Sequence, residues 1–239
     1  MHIKALAKRY APAWIINIYS YFCWNLIIRP KWRRMGMAAV FTKHYRENGW
    51  ASAESRSGHG STFHASQAVR EALPKLVEQL KIRSMLDVPC GDFNWMRFVD
   101  ISIAYIGADI VKEIVADNQR DYGSPTRYFV KLDLTSDSLP RADLILCRDC
   151  LIHFSFRHIH RAVANIKRSE ARYLLTTTHP SLEHNRDIVT GEWRRLNLEA
   201  APFFFPTPLL LINERCSDPY GYDKHLGLWK IDEIVGDRR

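Results

Sequence analysis

Residues 86–96 read LDVPCGDFNWM, an apolar run that ends on Asp87 and turns at Gly91. Extended backwards through IRSM at 82–85, it has the composition of a buried strand opening into a tight loop. A loop that grips a nicotinamide or flavin pyrophosphate uses G-x-G-x-x-G, which lets backbone N–H groups close on the phosphates. This loop has a single glycine, with Pro89 and Phe93 beside it, and Asp87 and Asp92 would repel phosphate. The expected ligand is therefore cationic and free of phosphate.

Working outward, the hydrophobic pattern alternates between short β-rich runs and helix-like stretches. Strands are expected at 82–88, 104–109, 127–132, 143–148 and 172–178, and helices at 66–80, 111–121 and 156–168. Pro74 should kink or split the first helix, Gly123 should stop the second, and Ser155 should cap the third. After Pro206 and Pro208, runs 209–214 and 226–232 read as two strands joined across a loop containing DPYGYD, an antiparallel end to the sheet. The fold class is thus α/β, a doubly wound, mostly parallel seven-stranded sheet with an antiparallel last strand, preceded by an N-terminal helical leader. Ligands of such sheets sit beyond the carboxyl ends of the strands where strand order reverses. Those ends here are LDVPCGDFNWM, GADIV at 107–111 and CRDCLIHFS at 147–155. Asp109, 22 positions after Asp87, stands where a carboxylate accepts from ribose hydroxyls.

These segments, in this order, resemble the class I S-adenosylmethionine-dependent methyltransferases over about residues 82–178. LDVPCGDF is similar to the family's first motif, which implies Gly91 beside the methionine part of S-adenosylmethionine and Asp87 near its ammonium. GADI resembles the second motif and implies Asp109 on the ribose. LDL at 132–134 resembles the third and implies Asp133 and Leu134 around the adenine. Cys90, Ile110 and Arg148 adjoin these positions and complete the expected cofactor-binding set. RDCLIHF resembles the segment after strand four that lines the methyl-transfer cleft. Pro89 and Phe93 stand where many members carry glycine. More narrowly, WASAESRSGHGS at 50–61, LDVPCGDFNWM and CRDCLIH resemble a bacterial branch of methyltransferases associated with surface-glycan or small-molecule pathways.

Methyl transfer from a sulfonium is an in-line displacement, so the protein must align the nucleophile, take its proton and exclude water. Asp149 and His153, four apart after strand four, are the expected catalytic pair, as base or as orienting group. Arg148 can pair with Asp87 or Asp149 or hold an acidic substrate group. His179, Asp187, Trp193, Arg194 and Arg195 fall where a lid over the acceptor could be built. Cys147, Cys150 and His153 spell C-x-x-C-x-x-H, but a structural zinc needs four ligands with a turn between pairs, so no metal is expected. The polar, glycine-rich segment 44–64 is expected to fold over the cofactor, with Ser57, Gly58, Gly60 and Ser61 approaching it.

The chain has 239 residues, 46% hydrophobic and 25% charged, which excludes a disordered or wholly membrane-embedded protein. Five cysteines imply no disulfide framework and a reducing, cytoplasmic setting. The net charge of +8 lies almost wholly in residues 1–40, where Lys4, Lys8, Arg9, Arg29, Lys31, Arg33 and Arg34 face no acid. The remaining body is nearly neutral, which disfavours nucleic acid as partner. Domains are accordingly a basic, aromatic, apolar leader at 1–40 and a methyltransferase domain at 41–239. Between Arg9 and Arg29 lie 19 uncharged residues, roughly 28 Å as helix, with Asn17, Tyr21 and Asn25 along one side. That pattern favours lying on an anionic membrane over crossing it; packing on the body or on a second subunit is the other reading. The expected function is O-methylation of a small-molecule or glycan acceptor at the inner face of the membrane. The alternatives are a nucleic-acid methyltransferase and a non-catalytic cofactor-binding scaffold or membrane tether.

Overall fold

The computed structural model describes residues 22–216 and 223–234. Most of the leader and most of the DPYGYD loop fall outside them. The first described elements are one wide helical turn, Trp24–Ile28, then α1 (Arg29–Arg34) and α2 (Met37–Glu47). The body follows as α3 (Gln67–Gln79), β1 (Ser84–Asp87), β2 (Ala104–Asp109), α4 (Lys112–Tyr122), β3 (Arg127–Lys131), β4 (Leu144–Cys147) and α5 (Phe156–Arg168). It ends with β5 (Tyr173–Thr178), β6 (Leu210–Asn213) and β7 (His225–Lys230).

The seven strands form one sheet in the order β3-β2-β1-β4-β5-β7-β6. β1 to β5 are parallel, and β7 runs antiparallel between β5 and β6. The expected sheet is therefore the observed one. Because side chains alternate across a strand, each buried strand feeds two cores. Ile145 and Cys147 of β4 join Ile106, Ala108, Leu174 and Trp229 on the face covered by α5, whose Ile159, Ala162, Val163 and Ile166 recur at helical spacing. Leu144 and Leu146 join Met85, Tyr105, Leu175 and Leu228 on the face covered by α3 through Val69, Leu73, Leu76 and Val77.

The α3 helix runs unbroken through Pro74, so the proline does not split it. Its buried apolar stripe passes on both sides of the proline, so packing outweighs the lost N–H. Ser155 caps α5 as expected, its hydroxyl accepting from the His158 N–H, and Gly123 ends α4. Strand order reverses between β1 and β4, which opens a crevice above their carboxyl ends.

Behind that crevice, Asn165 of α5 is buried and donates to the carbonyls of Leu134 (2.9 Å) and Asp137 (2.8 Å), pinning the loop after β3. Asn165→Leu keeps the volume but leaves both carbonyls unpaired. Urea unfolding should show a loss of about 2 kcal/mol.

Candidate functional site

One cleft of about 980 Å³ lies over the ends of β1, β2 and β4, and its wall holds every expected site residue. Asp87, Cys90 and Gly91 come from the β1 turn, Asp109 and Ile110 from the end of β2, and Asp133 and Leu134 from beyond β3. Arg148, Asp149 and His153 follow β4. Their proximity in space is the work of the sheet, since they span 67 positions in the chain.

The floor is acidic and buried. Asp109 accepts from the N–H groups of Gly91 (3.2 Å) and Val111 (2.9 Å), and burial nevertheless pushes its carboxyl up to about 6. Asp87 accepts from the Tyr105 hydroxyl at 2.6 Å, and burial pushes it up to about 7, with the Tyr105 bond and the Arg148 charge opposing. Two buried carboxyls that resist ionisation suit a ligand that brings positive charge and hydroxyl donors. The turn itself depends on left-handed backbone. Gly91 has φ +55°, and a side chain there would collide with Ser57. Phe93 holds φ +56° where a glycine would be at ease, and its ring is fixed against Tyr105, Tyr122 and Phe129.

The segment at 44–64 covers the cleft, with Tyr45, Trp50, Arg56, Ser57 and Ser61 in its lining. Asp92 is the anchor. Its carboxylate accepts from the Ser55 hydroxyl (2.9 Å), the Arg56 N–H (2.7 Å) and the Ser57 hydroxyl (3.2 Å). Asn94 ties the same segment through Glu54 (2.7 Å) and the Ser61 carbonyl (3.0 Å).

Beyond β4 the charges are paired. Arg148 donates to Glu214 and to the Gly60 carbonyl (2.8 Å), and lies 3.5 Å from Asp149. Lys224 bridges Asp149 (2.6 Å) and Glu214 (3.3 Å). The two cations hold the Asp149 carboxyl well below the usual range against the cost of burial. Arg148 forms the expected ion pair with Asp149. Its Nε and one terminal nitrogen are taken up by Glu214 and the Gly60 carbonyl.

His153 stands in the wall of the same cleft. Its Nδ1 lies 3.0 Å from the Glu192 carbonyl, which can only accept, so Nδ1 carries the proton and Nε2 the lone pair. Burial pushes its pKa down to about 4, keeping the ring neutral at physiological pH. Trp50 packs on it at 4.4 Å and stacks in turn on His44 at 4.1 Å. His153, Asp149, Trp50 and Ser57 also border a second, wider cavity of about 1640 Å³, whose walls include His59, His64, His179, Trp193 and Lys224.

Two of the expected lid residues make contacts elsewhere. Arg194 is buried and donates to the carbonyls of Leu151 and Phe154 (both 2.9 Å), bracing the segment after β4. Asp187 accepts from the N–H of Phe156 (2.7 Å) at the start of α5. His179 and Trp193 do line the second cavity, and burial pushes His179 down to about 4. Cys90, Cys147 and Cys150 are free and buried, and burial pushes the Cys90 and Cys150 thiols up, toward the inert protonated form. Glu214, Lys224 and Tyr105 had no motif around them to mark them in the sequence. Among the described residues no group of three His, Cys, Asp or Glu side chains is placed to hold a metal ion.

No protein-family model matches the chain, and no curated protein matches it. Solved structures do. A methyltransferase of Leishmania major described as SAM-dependent aligns over 81% of this chain and 83% of its own at 14% identity, with a TM-score of 0.61. The magnesium protoporphyrin IX methyltransferase of Synechocystis, with bound SAM, aligns over 81% and 96% at 14% identity, with a TM-score of 0.52. In some other matches the chain spans about half of the neighbour, as with the SAH-bound form of the Synechocystis enzyme, of which it covers 57%. At these identities the likeness establishes the fold.

The raised Asp87 carboxyl has a consequence for stability. Its folded value near 7 exceeds the ordinary 3.8, so the unfolded chain loses the proton first as pH rises. The stability that the neutral carboxyl confers is complete below about pH 4 and is lost by about pH 7. Asp87→Asn keeps an acceptor for Tyr105 without that loss. Its thermal unfolding should match the parent near pH 4 and exceed it at pH 8 by on the order of 3 kcal/mol.

Proposed function

We propose that this chain is an S-adenosylmethionine-dependent methyltransferase that transfers the methyl group to an oxygen of a small-molecule or glycan acceptor. The observation that carries this reading is the junction at His153, where an acidic cleft over the β1 and β2 ends meets a second cavity. The cofactor fits the first cleft on its chemistry. Its ammonium and sulfonium bring the positive charge that Asp87 and Asp109 lack, its ribose brings hydroxyl donors, and it has no phosphate for Asp92 and its neighbours to repel. Asp109 would hold the ribose, Asp87, Cys90 and Gly91 the methionine part, and Ile110, Asp133 and Leu134 the adenine. Arg148 supports the wall between them from behind.

Bound S-adenosylmethionine supplies an electrophilic methyl group on a positively charged sulfur. The chain then has three tasks. Trp50 and the covering segment exclude water from the cleft, which keeps the local dielectric low. Asp149, fixed by Lys224 and Arg148, orients groups at the mouth. His153 Nε2, neutral and oriented by the Glu192 carbonyl, takes the proton from the acceptor hydroxyl. Trp193, His59 and His64 in the second cavity suit a polyhydroxylated acceptor, with an aromatic wall and imidazole donors and acceptors. The enzyme would work in the cytoplasm, peripheral to the membrane.

Calorimetric titration of the full chain with S-adenosylmethionine and its demethylated product tests this reading. Both should bind, more tightly at pH 8 than at pH 5, because a cationic ligand favours the ionised form of acids with values near 6 and 7. Asp109→Ala should lose about a hundredfold in affinity. His153→Gln should bind as the parent does while losing transfer to any acceptor. A folded chain that binds neither ligand at either pH would instead be a scaffold.

A further inference from the structure

The wide turn at Trp24–Ile28 ends in solvent. Phe22 is 54% exposed, Leu26 70% and Ile27 65%, and Ile28 adjoins them. Phe22 and Leu26 are four apart and so share a face. The chain entering this turn is uncharged back to Tyr10. Basic side chains follow at once: Lys31, Arg33 and Arg34 of α1 are exposed, and among the described residues none of them forms an ion pair.

The charge is not left pointing at random. α1 rests on the body, with Arg29 paired to Glu192 at 3.1 Å and Trp32 against Gly191. Between α1 and the start of α5 lies a groove of about 870 Å³ to which Arg29, Arg33, Trp32 and Arg157 contribute. Asp187 in its wall already accepts from the N–H groups of Phe156 and Ile188, and Glu192 nearby is held by Arg29. Exposed apolar side chains of this size beside unpaired cations are costly in water and match the layered chemistry of an anionic bilayer, apolar beneath phosphate.

We propose that this face seats the protein on an anionic phospholipid surface, with Phe22, Leu26, Ile27 and Ile28 entering the acyl boundary and Lys31, Arg33, Arg34 and Arg157 meeting headgroup phosphates. Among the described residues no helix is long and apolar enough to cross a membrane. The same contact reaches the cleft, because Glu192, which holds Arg29 by its side chain, orients His153 by its carbonyl. The acceptor cavity therefore stands in fixed relation to the lipid surface. The inference deepens the peripheral location proposed above and does not depend on methyl transfer.

Sedimentation of the full chain with vesicles of phosphatidylcholine, with and without phosphatidylglycerol, tests it. The chain should pellet with the phosphatidylglycerol vesicles, less so as salt rises, and each Arg→Gln change at Arg33, Arg34 or Arg157 should weaken binding about fivefold. Leu26→Ser with Ile27→Ser should abolish pelleting while S-adenosylmethionine titration and circular dichroism stay unchanged. A folded chain that ignores both vesicles, or variants that pellet like the parent, would overturn the proposal. So would sedimentation equilibrium showing a dimer that those two serine substitutions dissociate. Vesicle binding without cofactor binding would leave this inference standing and remove the methyltransferase reading instead.

Discussion

Arg148 is buried at the end of β4, and the site cannot be assembled without what it holds together. Its guanidinium ties Glu214 beyond β6, Asp149 on its own turn and the Gly60 carbonyl of the covering segment, and Lys224 before β7 closes the ring. Four separate stretches of chain meet in one charge-balanced cluster of two cations and two carboxylates. Buried charges are tolerated only when so paired, and removing one partner strands the others. The cluster thus specifies how the lid, the cleft and the second cavity are placed relative to one another.

Around it the backbone holds conformations that side chains usually avoid. Asp149 has φ +51° and Phe93 φ +56°. The first is secured by Lys224 and Arg148, and the second by an aromatic cluster with Tyr105, Tyr122 and Phe129. Close approach does similar work at Gly60, where a Cβ would lie 2.6 Å from the Asp149 carboxylate. Strain of this sort persists where surrounding contacts over-determine it, and Asp149 brings it into the wall of the cleft.

Much of this was legible in the chain because the relevant signals are local. Alternating apolar runs gave the strands, a serine before an apolar helix gave the α5 cap, and carboxylates at strand ends marked Asp87 and Asp109. Pro74 does not split α3, because the apolar stripe that the helix buries runs on both sides of it. Arg194 looked like a lid residue because its neighbours are polar, whereas its depth under α5 comes from tertiary packing. Glu214 and Lys224 carry no motif, and their role exists only because β6 and β7 bring them to Arg148. A charge partner 66 positions away leaves no mark in composition or periodicity.

The central claim is that the cleft above β1 and β2 takes S-adenosylmethionine. A crystal structure of the full chain grown with the demethylated product tests it most directly. The account predicts ligand density against Gly91 and Asp109, with His153 at the open end. Density confined to another cavity, or an ordered cleft left empty at saturating ligand, would contradict it.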